Sequence, residues 1–149
     1  MTDRSNNPNK FLSPSEQQQI MDAIGEAEKN TSGEIRLHLQ RSAGKDVFET
    51  AKNIFEKIGM TATKDRNGVL FFLALKEKKF AILGDKGINE KVPEGFWDQI
   101  KDNIADKFAQ DQFAEGLAEG IRACGEQLST YFLYQSDDVN ELPDEISIG

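Results

Sequence analysis

The side chains with chemistry to offer are oxygen donors, and they gather at a few places along the chain. Asp65 and Asn67 sit in the run Asp-Arg-Asn-Gly just before a long apolar stretch, and Asp85 sits in Gly-Asp-Lys-Gly-Ile just after a second one. Glu34 opens an alternating segment upstream, and Asp137, Asp138, Asn140 and Glu141 crowd the C-terminal end. Carboxylates and amides on loops are what hard cations take, with calcium using ~6–8 oxygens. Soft-metal centres cannot be assembled within the chain, because His38 is its one histidine and Cys124 its one cysteine. Asp138 to Asn140 imitates part of an EF-hand loop, but the central glycine and terminal glutamate do not follow where that motif needs them. There is no Gly-x-Ser-x-Gly elbow and no P-loop, and Cys124 lacks the arginine six residues on that a cysteine phosphatase loop requires. The sequence therefore assigns no catalytic residue and points to no cofactor other than Ca2+ or Mg2+.

These donors must be positioned by the elements around them. Val69 to Leu75 is uniformly apolar, which predicts a strand covered on both faces. The break Lys76-Glu77-Lys78-Lys79 is too short for a crossover, so Phe80 to Leu83 should return antiparallel, forming a hairpin in the centre of the sheet. A hairpin joins its two ends, so Asp65 and Asn67 should lie close to Asp85. Glu34 to Gln40 alternates strictly, which predicts a strand with one polar face, nearer an edge; His38 falls on that face, as a solvated or helix-covered residue. A helix from Asp46, with Val47, Phe48, Ala51, Ile54, Phe55 and Ile58 on one side, ends at Gly59. Strand, helix and strand make a βαβ unit with parallel strands. Glu34 then joins Asp65 at one end of the sheet, the antiparallel return brings Asp85 there, and three carboxylates converge.

The remaining segments frame this unit. Residues 1–10 are polar and read as a flexible arm. Ser13-Pro14-Ser15-Glu16 is a capping box opening a helix with Ile20, Ala23, Ile24 and Ala27 on its apolar stripe. Glu90-Lys91-Val92 is consistent with a short extra strand. Pro93 is read as opening a third helix, and a fourth begins near Asp111, where Gly116 and Gly120 suggest close approach to a neighbour. One domain over 11–135 is expected, followed by an acidic segment, 136–149. Between Ser136 and Glu145 the latter holds five acids and no base. Such a run is usually a solvated tail. Here Leu142, Ile146 and Ile148 could anchor it, and the spacing of its oxygens suits docking through a metal.

At 149 residues the chain can bury roughly 70% of its unfolded surface without staples. Its net charge of −8 opposes nucleic acid and anionic membrane surfaces and favours cationic ligands. No apolar signal core and no membrane-spanning run occurs, and the single cysteine reads as a buried thiol, so a cytoplasmic setting without membrane insertion is expected.

Several of these segments together resemble the TPM domain family. They are Thr31-Ser32-Gly33-Glu34-Ile35-Arg36, Gly59-Met60, Thr63-Lys64-Asp65-Arg66-Asn67-Gly68-Val69-Leu70, Gly84-Asp85-Lys86-Gly87-Ile88 and Asn140-Glu141-Leu142-Pro143-Asp144. The likeness runs from about Phe11 to about Ile146. It implies an α/β fold, a three-layer α/β/α sandwich around a mixed sheet of about four strands. It also implies a family with metal-bound members, with thylakoid members linked to photosystem II repair and described as acid phosphatases, and with membrane-anchored assembly or receptor-associated members. At the Gly84-Asp85 loop relatives often carry Gly-Tyr-Gly, so the resemblance does not extend a ligand role for Asp85 across the whole family. The leading expectation is a metal-responsive module whose Ca2+ or Mg2+ is held by Glu34, Asp65, Asn67, Asp85, Asp137, Asp138, Asn140 and Glu141. The alternatives are a weak metal-assisted acid phosphatase and a metal-independent assembly module with an unidentified protein partner.

Overall fold

The apolar run forms the spine of the sheet. In the computed structural model, which describes residues 6–132 and 146–148, β2 (Gly68–Ala74) is buried at every position. Its backbone groups have no access to water, so each flank must supply a partner strand. β1 (Glu34–Gln40) pairs with it in parallel along its whole length, from Glu34 opposite Gly68 to Gln40 opposite Ala74. β3 (Lys79–Gly84) pairs antiparallel, with Leu70 opposite Leu83. The hairpin and the parallel pair are thus as the sequence predicts. Its place is not: the strand order is β3-β2-β1-β4, so β3 lies at the edge and only β2 and β1 are interior.

The fourth strand comes from the far end of the chain. β4 (Ser147–Ile148) pairs parallel with β1 at His38 and Leu39. The expected strand at Glu90–Val92 does not form, because Asp85 caps a short helix, α3 (Lys86–Asn89), immediately after β3. Lys91 and Val92 continue its turns by donating to the Ile88 carbonyl at 2.9 and 3.0 Å. The third helix also starts later than Pro93. Gly95 takes φ +79 in the left-handed region, which breaks the turn, and α4 spans Asp98–Ala109.

Helices cover both faces. α1 (Pro14–Glu28) begins with the expected capping box: Glu16 N–H donates to Ser13 Oγ at 3.2 Å and Ser13 N–H to Glu16 Oε1 at 2.9 Å. α1, α4 and α5 (Phe113–Tyr131) pack over Ile35, Leu37, Leu39, Val69 and Phe71 in one cluster. On the opposite face α2 (Val47–Lys57), capped by Asp46, packs over Leu70, Phe72, Ala74 and Leu83. The result is a three-layer α/β/α domain. No helix among the described residues is long and apolar enough to cross a membrane.

The helices on the thick side are pressed close at glycines. A Cβ on Gly120 would lie 2.6 Å from Ile104 Cδ1, and one on Gly125 would lie 2.7 Å from the Ala27 Cα, where only backbone movement could relieve it. Gly25, within α1, has nothing within 4 Å of the same position. Gly125→Ala should therefore destabilise the domain by about 1–3 kcal/mol through overpacking. Gly25→Ala should stabilise it by up to about 1 kcal/mol through helix propensity. Urea unfolding midpoints of the two variants check both signs.

Candidate functional site

The loops at one end of the sheet are drawn together by backbone contacts. At the mouth of the hairpin, Asp85 N–H donates to the Gly68 carbonyl at 2.9 Å. Gly87 N–H donates to the Arg66 carbonyl at 2.9 Å, and a Cβ on Gly87 would fall 2.1 Å from the Asp65 carbonyl oxygen. Only glycine lets α3 sit this tightly on the Asp65–Asn67 loop.

Asp85 is buried here, and its charge is already answered. Arg66 donates Nε to Asp85 Oδ2 at 2.7 Å and a second guanidinium N–H to Oδ1 at 2.9 Å, a bidentate pair, while Oδ1 also caps α3 by accepting Lys86 N–H at 2.8 Å. The hydrogen bonds that Arg66 donates to Asp85 hold its guanidinium above its ordinary pKa. Arg66 is 37% exposed against 5% for Asp85, so the arginine closes the site from the solvent side. It reaches this position from a left-handed backbone at φ +49.

The other expected ligands sit around this pair in different states. Asn67 is buried: its N–H donates to Thr63 Oγ1 at 3.1 Å, its side-chain amide to Ser32 Oγ at 3.2 Å, and its carbonyl accepts Glu34 N–H at 3.3 Å. Glu34 is buried at the start of β1, and Asp65 is exposed. So the sheet end collects Glu34, Asn67 and Asp85, but the expected convergence of three carboxylates does not form, since Asp65 is exposed and only its carbonyl lies against Gly87. Asp137, Asp138, Asn140 and Glu141 lie outside the described residues. Among the described residues, no group of three or more His, Cys, Asp or Glu is placed to hold a metal ion.

The flanks of the acidic segment are nevertheless fixed. The Phe132 carbonyl, just past α5, accepts Ser32 N–H at 3.0 Å and the Thr31 hydroxyl, from positions two and three residues before Glu34. On the other side, Ser147 pairs with His38 in the middle of β1.

His38 is the buried group that the sequence placed on a polar face. It lies under cover, stacked on Phe72 at 5.5 Å between ring centroids. Nδ1 is 2.8 Å from Ser147 Oγ and Nε2 2.8 Å from Gln40 Oε1. An amide oxygen can only accept, so Nε2 carries the proton and Nδ1 accepts from the serine. Burial is the main cause lowering its pKa below 6.5, opposed by the Gln40 bond and reinforced by Arg36 and Lys57. Cys124 is buried in α5, and burial pushes its thiol far up, which makes it inert.

Arg66, which pairs with Asp85 at this site, is the residue that sequence reasoning does not single out. The available signal was a cation set between Asp65 and Asn67 at a predicted hairpin mouth.

This is a small α/β/α domain with one mixed sheet, whose hairpin mouth holds a buried carboxylate locked by an arginine. Sequence comparison makes the class specific: the TPM domain model matches residues 5–127, and the chain belongs to the TPM domain family. The BA42 protein of the psychrophilic bacterium Bizionia argentinensis, solved by NMR, is 45% identical, with a TM-score of 0.90 over 97% of this chain and 100% of that one. The N-terminal domain of a P. gingivalis protein shares the fold at 21% identity and a TM-score of 0.66, over 83% of this chain and 82% of that one. No curated protein sequence matches the chain.

The His38 geometry has a consequence for pH. The unfolded chain binds a proton at about 6.5 and the folded one only below that, so His38 adds stability above about pH 6.5 that is lost as pH falls toward its lowered folded value. His38→Gln should flatten the acid-side decline relative to wild type, measured as the melting temperature between pH 7.5 and 5.

Proposed function

We propose that the domain binds a divalent cation, Ca2+ or Mg2+, between the hairpin mouth and the acidic segment, and that occupancy regulates the surface around it. The observation that carries this reading is the anchoring of Phe132 beside Thr31 and Ser32, and of Ser147 beside His38. The described residues on either side of Asp137, Asp138, Asn140 and Glu141 are thus held at the entry to β1 and along it, the strand that Glu34 opens. Donors from that segment are required, since the described side chains alone do not make a site.

Arg66 defines how such a site would work. It already acts as a cation on Asp85, so a metal ion would take over a charge-compensating role rather than meet a bare carboxylate. The exchange would release the guanidinium toward solvent and draw loops of like charge together around the ion. The phosphatase alternative asks more of the site, because it needs a group to activate water as well as an ion. The carboxylate that would position that water, Asp85, has both oxygens engaged by Arg66 and the Lys86 N–H, which favours the simpler binding reading. A cytoplasmic setting belongs to the same proposal and rests on composition.

Calorimetric titration of chelator-stripped protein with Ca2+, then Mg2+, tests the reading. Wild type should show saturable binding with defined stoichiometry. The combined change Asp137→Asn, Asp138→Asn and Glu141→Gln should weaken it by about tenfold or more, which is about 1.4 kcal/mol. Arg66→Gln should tighten it by removing the internal competitor. No heat with either ion, together with an unchanged melting temperature, would remove the proposal.

A further inference from the structure

The edge of the sheet offers a second surface, which shares Arg66 and Asp85 with the hairpin mouth but needs no cation to form. β3 is the outer strand, and Asp85 N–H bonds the Gly68 carbonyl while Leu83 faces Leu70, so residues 81, 83 and 85 direct their backbone groups to β2. Phe80, Ile82 and Gly84 direct theirs outward. Asn89 donates its side-chain amide to the Gly84 carbonyl at 3.1 Å, and no further strand among the described residues pairs with this edge. Edges of this kind are normally blunted by charge, a bulge or a covering element.

Here the edge borders a cleft of about 580 Å3 lined by Phe48 and Phe55 of α2, by Ile82 and Leu83 of β3, and by Trp97 and Lys101 at the start of α4. Phe48 is 55% exposed, and only Ile148 accompanies it as an exposed large apolar side chain among the described residues. Trp97 is packed over β3, since a Cβ on Gly84 would come 2.9 Å from its ring. The charge lining the cleft opposes that of the whole chain. Lys52 and Lys101 line it, Arg66 cancels Asp85, and Glu56 is the remaining carboxylate, in a chain of net charge −8. Lys52 is held only by an exposed pairing with Glu49 at 3.5 Å and a contact with the Phe48 ring at 5.6 Å.

We propose that this cleft docks an extended acidic segment of another protein as an added strand beside β3, with apolar residues at alternate positions. The edge, which no strand among the described residues pairs, supplies main-chain bonds from Phe80 and Ile82, and strand alternation sends every second side chain toward Phe48 and Phe55 and the others toward Trp97. Acids on the Trp97 face meet Lys101, and Lys52, across the cleft on α2, adds attraction at longer range. The reverse charge pattern would be rejected by the same lysines, which sets specificity.

Trp97 is the one tryptophan in the chain, so its emission reports the cleft directly. The probe is a blocked hexapeptide alternating aspartate and valine, titrated in chelator and again in Ca2+. The expected result is a saturable emission change in both buffers, weakened about tenfold by Lys52→Glu with Lys101→Glu at an unchanged melting temperature. N-methylation at alternate amides should abolish binding in one register and spare it in the other, because only one edge of the added strand meets β3. The proposal is overturned by no saturable change, by equal binding of a lysine–valine peptide, or by indifference to both the lysine changes and N-methylation. Tighter binding of a peptide spanning this chain's own residues 136–142 would give the cleft to a second copy instead of a foreign partner.

Discussion

Burying β2 on both faces is the constraint from which the architecture follows. A strand with no wet face has no water to satisfy its amides, so it needs a ladder on each side, and no polar residue can line it without cost. β1 and β3 supply the ladders, and helices must cover both faces. The thicker layer, α1, α4 and α5, is held close enough that glycines stand where the helices approach one another. α2 alone covers the other side, and it sits mainly over β2 and β3. That uneven cover leaves the polar face of β1 to be closed by His38, Gln40 and Ser147 through side-chain hydrogen bonds.

The hairpin mouth shows how a buried charge is tolerated. Asp85 is placed out of water because it must both end β3 and cap α3, two backbone tasks that fix where its carboxylate lies. A carboxylate so placed needs a cation or donors, and Arg66 provides a planar pair of N–H groups that match its two oxygens. The same arrangement makes the loop end responsive in principle to any stronger cation. It also ties the Asp65–Asn67 loop to α3, and through Asn67 to the start of β1.

Edge and interior are treated differently in this sheet. On the β1 side, two residues of β4 give partial cover from the end of the chain. On the β3 side, helices flank the strand but leave its outer backbone groups facing a cleft with aromatic walls. The family membership rests on a match over most of this one-sheet domain, and BA42 shares nearly the whole outline.

The sequence by itself determined what depends on neighbours along the chain. The unbroken apolar run from Val69 specified a doubly covered strand, the four polar residues after Leu75 specified a hairpin, and Ser13 with Glu16 and Asp46 before Val47 specified helix starts. It also brought Glu34 and Asp85 to one end, because parallel and antiparallel connections have only one geometry each, but the third carboxylate it expected there, Asp65, is exposed to solvent and does not join them. Tertiary structure alone decided what depends on which distant segment arrives. Period-two patterning says that β3 is covered but not which of its edges has a neighbour, so the hairpin read as central when it lies at the rim. It put His38 on a polar face but could not show that residues 147 and 148 would dock there. It marked Asp85 as a donor seeking a cation, yet the first cation to reach it was Arg66, nineteen positions away, because strand pairing brings those two backbones together and sequence separation carries no record of distance in space.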